Sequence, residues 1–167
     1  MSRAICLFAG SFDPVTNGHL SIIRRAASRF DRVFVAVMRN PAKQGAFTVG
    51  ERLAMLAEVC APYGNVRVLA GEGLTAALAA QLNANVLLRG VRGMQDLESE
   101  LTMARVNRRL NPGLETIFLP PEEGCEDVSS SLVRELASLG ADFSAYVPPQ
   151  VRDRIVNKYS KGGSGNG

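Results

Sequence analysis

The order of apolar patterns along the chain predicts an α/β fold: a doubly wound, five-stranded parallel sheet with helices on both faces and further helices at the C-terminal end. Three observations carry this expectation. Five short runs rich in Val, Ile, Leu and Phe are continuously apolar rather than alternating, as strands covered on both faces are. Segments with helical spacing separate them. The length of 167 residues, at roughly 150 residues per domain, fits one domain.

The predicted strands are 4–9, 32–38, 66–70, 86–89 and 116–119, and the helices between them 18–30, 49–61, 74–82 and 96–110. In the first helix Leu20, Ile23, Ala27 and Phe30 repeat at helical spacing, while Arg24, Arg25 and Arg29 lie elsewhere on the wheel. Helices over 131–139 and 149–159 complete a single domain spanning 1–160. The Gly/Ser/Asn-rich segment 161–167 is expected to be a disordered tail. No internal repeat is present.

Composition excludes several classes. The chain is 46% hydrophobic and 21% charged, ordinary for a globular domain with a real core. Its longest apolar runs fall far short of the ~20 residues needed to cross a bilayer. Met1-Ser2-Arg3 leads directly into an apolar run without a small-residue cleavage site, so no signal peptide is expected. Cys6, Cys60 and Cys125 share no short spacing, and with a single histidine they form no zinc motif. Reduced thiols in a cytoplasmic protein are the better reading. The net charge of +3 is too small to imply nucleic-acid binding but suits anionic ligands. Among nineteen basic residues only Lys43, Lys158 and Lys161 are lysines.

Ligands of such sheets bind beyond the carboxyl ends of the strands, where strand order reverses. The residues just past each predicted strand are therefore informative. Gly10-Ser11-Phe12-Asp13-Pro14-Val15-Thr16-Asn17-Gly18-His19 comes after the first, and Arg39-Asn40-Pro41-Ala42-Lys43 after the second. Arg89-Gly90-Val91-Arg92-Gly93 ends the fourth, and the loop closing on Val128-Ser129-Ser130-Ser131 leaves the fifth. Glycines, hydroxyls, cations and the only histidine all fall on one rim.

The segment from Gly10 to His19 has neither the Gly-x-Gly-x-x-Gly spacing of dinucleotide sites nor a P-loop ending. Gly18 allows close backbone approach, and the adjoining helix offers free N–H groups and a positive dipole end to an anion. His19, in the first turn, would point toward that anion. Ser129, Ser130 and Ser131 either cap the next helix or cradle a phosphate, or do both. Arg89 and Arg92 supply the fork geometry that matches phosphate oxygens, and Lys43 a compact positive charge. Arg105, Arg108 and Arg109, near Glu98 and Glu100, read as a solvated helix face. No paired-carboxylate motif and no Gly-x-Ser-x-Gly accompany the lone histidine, so hydrolysis has weak support. Cationic and donor groups suit phosphoryl or nucleotidyl transfer, where positioning and charge stabilisation dominate.

The run Ser11–His19, with Thr16-Asn17-Gly18-His19 at its end, is similar to the (Thr/His)-x-Gly-His signature of the nucleotidyltransferase superfamily. Together with Lys43, Arg89-Gly90-Val91-Arg92 and Ser129-Ser130-Ser131-Leu132-Val133-Arg134, the chain resembles the bacterial phosphopantetheine adenylyltransferases from about Ala4 to Tyr159. The resemblance implies a Rossmann-like domain, a homohexamer, a Mg²⁺ requirement, and AMP transfer from ATP to 4′-phosphopantetheine in coenzyme A synthesis. It assigns His19 to the α-phosphate and its transition-state charge, and Ser11 and Phe12 to ATP, with Ser11 also at the acceptor phosphate. Lys43, Arg89 and the Thr75 backbone would bind the acceptor. Gly90, Val91, Arg92 and Glu100 would serve ATP, as would Cys125, Glu126, Asp127, Val128, Ser129, Ser130 and Ser131. Coenzyme A is implied as an inhibitor at the acceptor site. Ser11 stands where the family often has Thr, Ser99 where some members have an aromatic residue, and Cys125 and Asp127 replace bulky residues of some relatives. Other readings of the same rim are a nicotinamide mononucleotide adenylyltransferase, a cytidylyltransferase, or a non-catalytic nucleotide- or RNA-binding module.

Overall fold

The computed structural model describes residues 4–42 and 44–160. Five parallel strands lie in the order β3-β2-β1-β4-β5. They are β1 (Ile5–Gly10), β2 (Arg32–Met38), β3 (Val66–Gly71), β4 (Val86–Gly90) and β5 (Glu115–Leu119). Helices α1 (Asn17–Ala27), α2 (Val49–Cys60), α3 (Thr75–Gln81) and α4 (Met94–Leu110) make the crossovers. Helices α5 (Ser130–Ser138) and α6 (Pro149–Ser160) come after the last strand. The expected doubly wound architecture is present. The tail proposed for 161–167 lies outside the described residues.

Burial explains why the strands read as unbroken apolar runs. Along β1, Cys6 and Phe8 enter one core and Leu7 and Ala9 the other. The first core is filled from α1, α2, α5 and α6 by Ile23, Leu56, Val133 and Ile155, among others. The second is smaller and takes Ala76, Leu78 and Ala79 from α3, with Leu114. Both faces of the sheet are therefore apolar, as a parallel sheet requires. Cys6 and Cys60 are buried free thiols, and burial pushes them up to about 12 and about 11.

The differences from expectation are local. Helix α1 stops at Ala27 rather than Phe30, because Arg29 and Phe30 both donate to the Ala26 carbonyl in a tightened last turn. Its buried face is Ser21, Ile22, Ile23 and Ala26, with Leu20, Ala27 and Phe30 packed at the margin. Helix α4 begins two residues early, at Met94, with Gly93 in the N-cap position. A 3₁₀ turn over Ser144–Tyr146 was not expected and precedes α6.

Helix α4 is the exception to amphipathic burial. Only Asn107 is buried, while Met94, Met103 and Leu110 are more than half exposed. The second face of the sheet is thus less fully covered than the first.

Leu7→Ala removes a side chain with no solvent exposure from the strand that joins both cores. It is expected to lower unfolding stability by about 2–5 kcal/mol, whereas Leu74→Ala, at a 60% exposed site, changes it by less than ~0.5 kcal/mol. Urea unfolding of both variants measures this. Equal midpoints would contradict the placement of the core.

Candidate active site

Strand order reverses between β1 and β4, so the connections leaving these strands diverge and open a crevice at their carboxyl ends. A cavity of about 590 Å³ occupies this position. The β1–α1 loop forms its floor, Met38, Asn40, Gln44 and Gly45 one wall, and Arg89–Arg92 with Ser129–Ser131 the other.

The floor is built around the start of α1. Thr16 is its N-cap, and its hydroxyl accepts from the His19 backbone N–H at 3.4 Å. In return the Thr16 backbone N–H donates to His19 Nδ1 at 3.1 Å. A backbone N–H can only donate, so Nδ1 is the ring's acceptor and the neutral imidazole carries its proton on Nε2. The ring stands edge-on to Phe12, with centroids 5.0 Å apart, and 6.3 Å from Phe8. Burial pushes its pKa down to about 4, with the Arg92 and Arg89 charges lowering it further. At neutral pH His19 is therefore an uncharged donor on the cavity floor. No acidic side chain lies in the first turn of α1, so the positive end of the helix is not neutralised there. A Cβ on Gly18 would sit 3.6–4.0 Å from Thr16 Oγ1 and the Val128 and Cys125 carbonyls, which is ordinary contact. Packing within the chain does not itself demand glycine at this position.

Backbone geometry fixes the approach to α1. Phe12 has φ +47°, a left-handed conformation that costs about 1–3 kcal/mol in a non-glycine residue. Its buried ring, edge-on to Phe8 at 5.2 Å, holds it there. The Asp13 carboxylate accepts from the Ala46 and Phe47 amides, each at 2.8 Å. Arg134 Nη1 donates to the Asp13 carbonyl at 2.6 Å, and Arg52 Nη1 to the Ser11 carbonyl at 2.9 Å.

The cations on the β4 side are held by helix α4. Arg89 pairs bidentately with Glu100, at 2.7 Å from Nε and 2.6 Å from Nη2, and also donates through Nη1 to the Ala9 carbonyl. Two of its five N–H donors remain. Arg92 Nε contacts Asp96 at 3.0 Å, with nearly half of its side chain exposed. On the same wall, Ser129 caps α5 by accepting from the Leu132 N–H at 3.1 Å. Ser130 donates to the Pro14 carbonyl at 2.7 Å, and Arg134 Nη2 donates to Ser131 Oγ at 3.2 Å. Capping is thus one role of this serine row, and all three residues also line the cavity.

The cavity brings together Ser11, Phe12, His19, Arg89, Gly90, Val91, Arg92, Glu100, Cys125, Val128, Ser129, Ser130 and Ser131. Thr75, Glu126 and Asp127 are not in its lining, and Lys43 lies outside the described residues. Sequence reasoning gave no role to Asp13, Arg52 or Arg134, which also line it. Arg52 did leave a signal. It falls on the apolar stripe of α2 with Met55, Leu56 and Val59, where a cation is out of place unless its head group has partners. Among the described residues no group of three or more His, Cys, Asp or Glu could hold a metal ion. The carboxylates of Asp13, Asp96 and Glu100 are each engaged by amides or arginines.

With one histidine in the chain, its imidazole resonances need no assignment. An NMR titration is expected to give a midpoint near 4, and a midpoint above 6 would contradict the enclosed ring. Because folding favours the neutral ring, stability from this group is full above pH 6.5 and is lost as pH falls through 6.5 toward 4.

Comparison with known proteins agrees with this geometry. Residues 7–136 match the family model described as cytidylyltransferase-like. The phosphopantetheine adenylyltransferase of Nocardioides sp. is 48% identical over 97% of this chain and 100% of its own length. That of Gloeobacter violaceus is 47% identical, over 93% and 97%. Among solved structures, the Plasmodium falciparum nicotinic acid mononucleotide adenylyltransferase complexed with NaAD superposes with a TM-score of 0.66. It covers 98% of this chain and 97% of that one, but at 15% identity it speaks for the fold alone. A helix N-terminus carrying a neutral histidine beside an arginine-bearing wall, together with full-length identity above 45%, leads to one conclusion: the chain belongs to the phosphopantetheine adenylyltransferase family, within the cytidylyltransferase-like nucleotidyltransferases.

Proposed function

We propose that the protein transfers the adenylyl group of ATP to 4′-phosphopantetheine, yielding dephospho-coenzyme A and pyrophosphate. The observation that carries this is His19, held neutral with Nε2 as its donor, at the uncompensated N-terminus of α1 and on the floor shared by both walls. ATP lies on the β4–β5 side, against Arg92 and the serine row. The acceptor lies on the β2 side, against the wall of Met38, Asn40, Gln44 and Gly45, and reaches Arg89. Lys43 and Thr75 are assigned to it by family resemblance, as Glu126 and Asp127 are to the nucleotide.

An oxygen of the acceptor phosphate attacks the α-phosphorus in line. The bond from that phosphorus to the bridging oxygen breaks, and pyrophosphate leaves. The acceptor is already anionic near neutral pH, so no general base is required, and none stands free among the described lining residues. His19 Nε2–H and the α1 amides stabilise charge building on the α-phosphate, an arrangement preorganised before reaction. Arg89 and Arg92 bind phosphate oxygens through the N–H donors that Glu100, Asp96 and the Ala9 carbonyl leave unused.

The described lining offers no free carboxylate cluster, so Mg²⁺ would come with the triphosphate rather than on a protein site of its own. When bound it supplies charge neutralisation on the triphosphate. The exposed apolar side chains of α4 suit burial between subunits, in keeping with a homohexamer. Coenzyme A, which contains the pantetheine arm, competes for the acceptor wall. No described helix is long and apolar enough to cross a membrane, and the reaction belongs to the cytoplasm.

Pyrophosphate release from ATP and Mg²⁺ tests this, with 4′-phosphopantetheine compared against nicotinamide mononucleotide. Release is expected only with the former; release only with the latter would overturn the acceptor, and release with neither would overturn the activity. His19→Ala is expected to lower kcat by about 10²-fold while leaving ATP binding much less affected. Equal losses in the two would make His19 a ground-state ligand instead.

A further inference from the structure

We propose that Asp13 is a positioning residue whose carboxylate sets the acceptor wall of the cavity in register with the nucleotide wall. The inference rests on the proposed assignment of the two walls to acceptor and nucleotide.

Asp13 sits at a junction of three segments. Its main chain belongs to the floor, between the left-handed Phe12 and Pro14. Its carbonyl is tied to α5 by Arg134, and the Pro14 carbonyl next to it is tied to α5 by Ser130. These two hydrogen bonds fix the floor to the nucleotide wall through backbone carbonyls, and Arg134 Nη1 also stands 4.0 Å from Asp13 Oδ2. The hydrogen bonds that the carboxylate accepts come from the other side. Its side chain is only 11% exposed, and each oxygen takes one backbone amide, Oδ2 from Ala46 and Oδ1 from Phe47. Both amides belong to the segment that leads from the acceptor wall into α2. Arg52 runs beside this strap from α2 to the Ser11 carbonyl.

Two adjacent amides require two acceptor atoms, and a carboxylate is the side chain that offers both without a donor. An asparagine would set an NH₂ group against one of the N–H groups, leaving a buried donor unpaired and opposed. The packing is also close. A Cβ on Gly45 would come within 3.0 Å of the Phe47 carbonyl and 3.1 Å of Asp13 Oδ2. The segment therefore has little room to shift while the strap is intact. Losing the strap frees the acceptor wall, while the hydrogen bonds from the Asp13 and Pro14 carbonyls to α5 remain.

The test uses the full chain with ATP, Mg²⁺ and 4′-phosphopantetheine, and reads steady-state constants alongside amide hydrogen exchange at Ala46 and Phe47. For Asp13→Asn, the acceptor KM is expected to rise about tenfold while the ATP KM stays within about twofold, because misplacement is confined to one wall. Exchange at the two amides accelerates in parallel. Gly45→Ala, which presses on the same carboxylate from the loop side, gives the same asymmetric defect and carries the test if Asp13→Asn does not fold. Two KM values that rise together, or an unchanged acceptor KM despite faster exchange, would overturn the proposal. A wild-type protein inactive with 4′-phosphopantetheine would instead overturn the assigned function, and that result is read without any variant.

Discussion

The reciprocal bond between Thr16 and His19 is the constraint on which the site depends. A helix start needs its free amides satisfied, and here the cap and the functional side chain answer each other. Thr16 accepts from the His19 amide and donates its own amide to His19 Nδ1. One contact therefore sets where α1 begins, which tautomer the imidazole adopts and which nitrogen is left for a ligand. Enclosure by Phe8 and Phe12, with Arg89 and Arg92 nearby, keeps the ring neutral. A charged imidazole would have bound anions more strongly in the ground state. A neutral donor makes a weaker contact in the ground state, and its hydrogen bond strengthens as negative charge grows on the acceptor.

The cationic walls obey a related logic. Arg89 and Arg92 are not free charges awaiting substrate, because Glu100 and Asp96 of α4 hold them in place. Such pairing costs little at partly exposed positions and restricts the rotamers that a long arginine would otherwise sample. The N–H donors of both side chains are thereby held at the cavity wall. The net charge of +3 is small because acidic partners accompany the basic side chains. What matters for binding is the local arrangement at one edge of the sheet.

Much of this was legible in the sequence. Strands buried on both faces write themselves as unbroken apolar runs, and β1, with Leu7 and Ala9 facing one core and Cys6 and Phe8 the other, shows why. Residues at the ends of such runs fall on one rim by topology, so Ser11, His19, Arg89, Arg92 and Ser129–Ser131 could be grouped before any coordinates. The braces were harder to see. Asp13 reaches amides 33 and 34 positions away, a contact set by tertiary approach rather than local pattern. Arg134 works through the carbonyl of Asp13, and a backbone acceptor leaves no residue-type signature. Thr75 shows the reverse case, since its assignment came from family resemblance and it opens α3 outside the cavity lining.

The central claim is that the site positions two phosphates and stabilises charge without forming a covalent intermediate. The stereochemical course at the α-phosphorus tests this most directly. ATP made chiral at that atom by sulfur substitution would be turned over with 4′-phosphopantetheine, and the configuration of the product determined. A single in-line displacement on the floor of this cavity predicts inversion. Retention would mean two displacements through an adenylylated side chain, and would contradict the account.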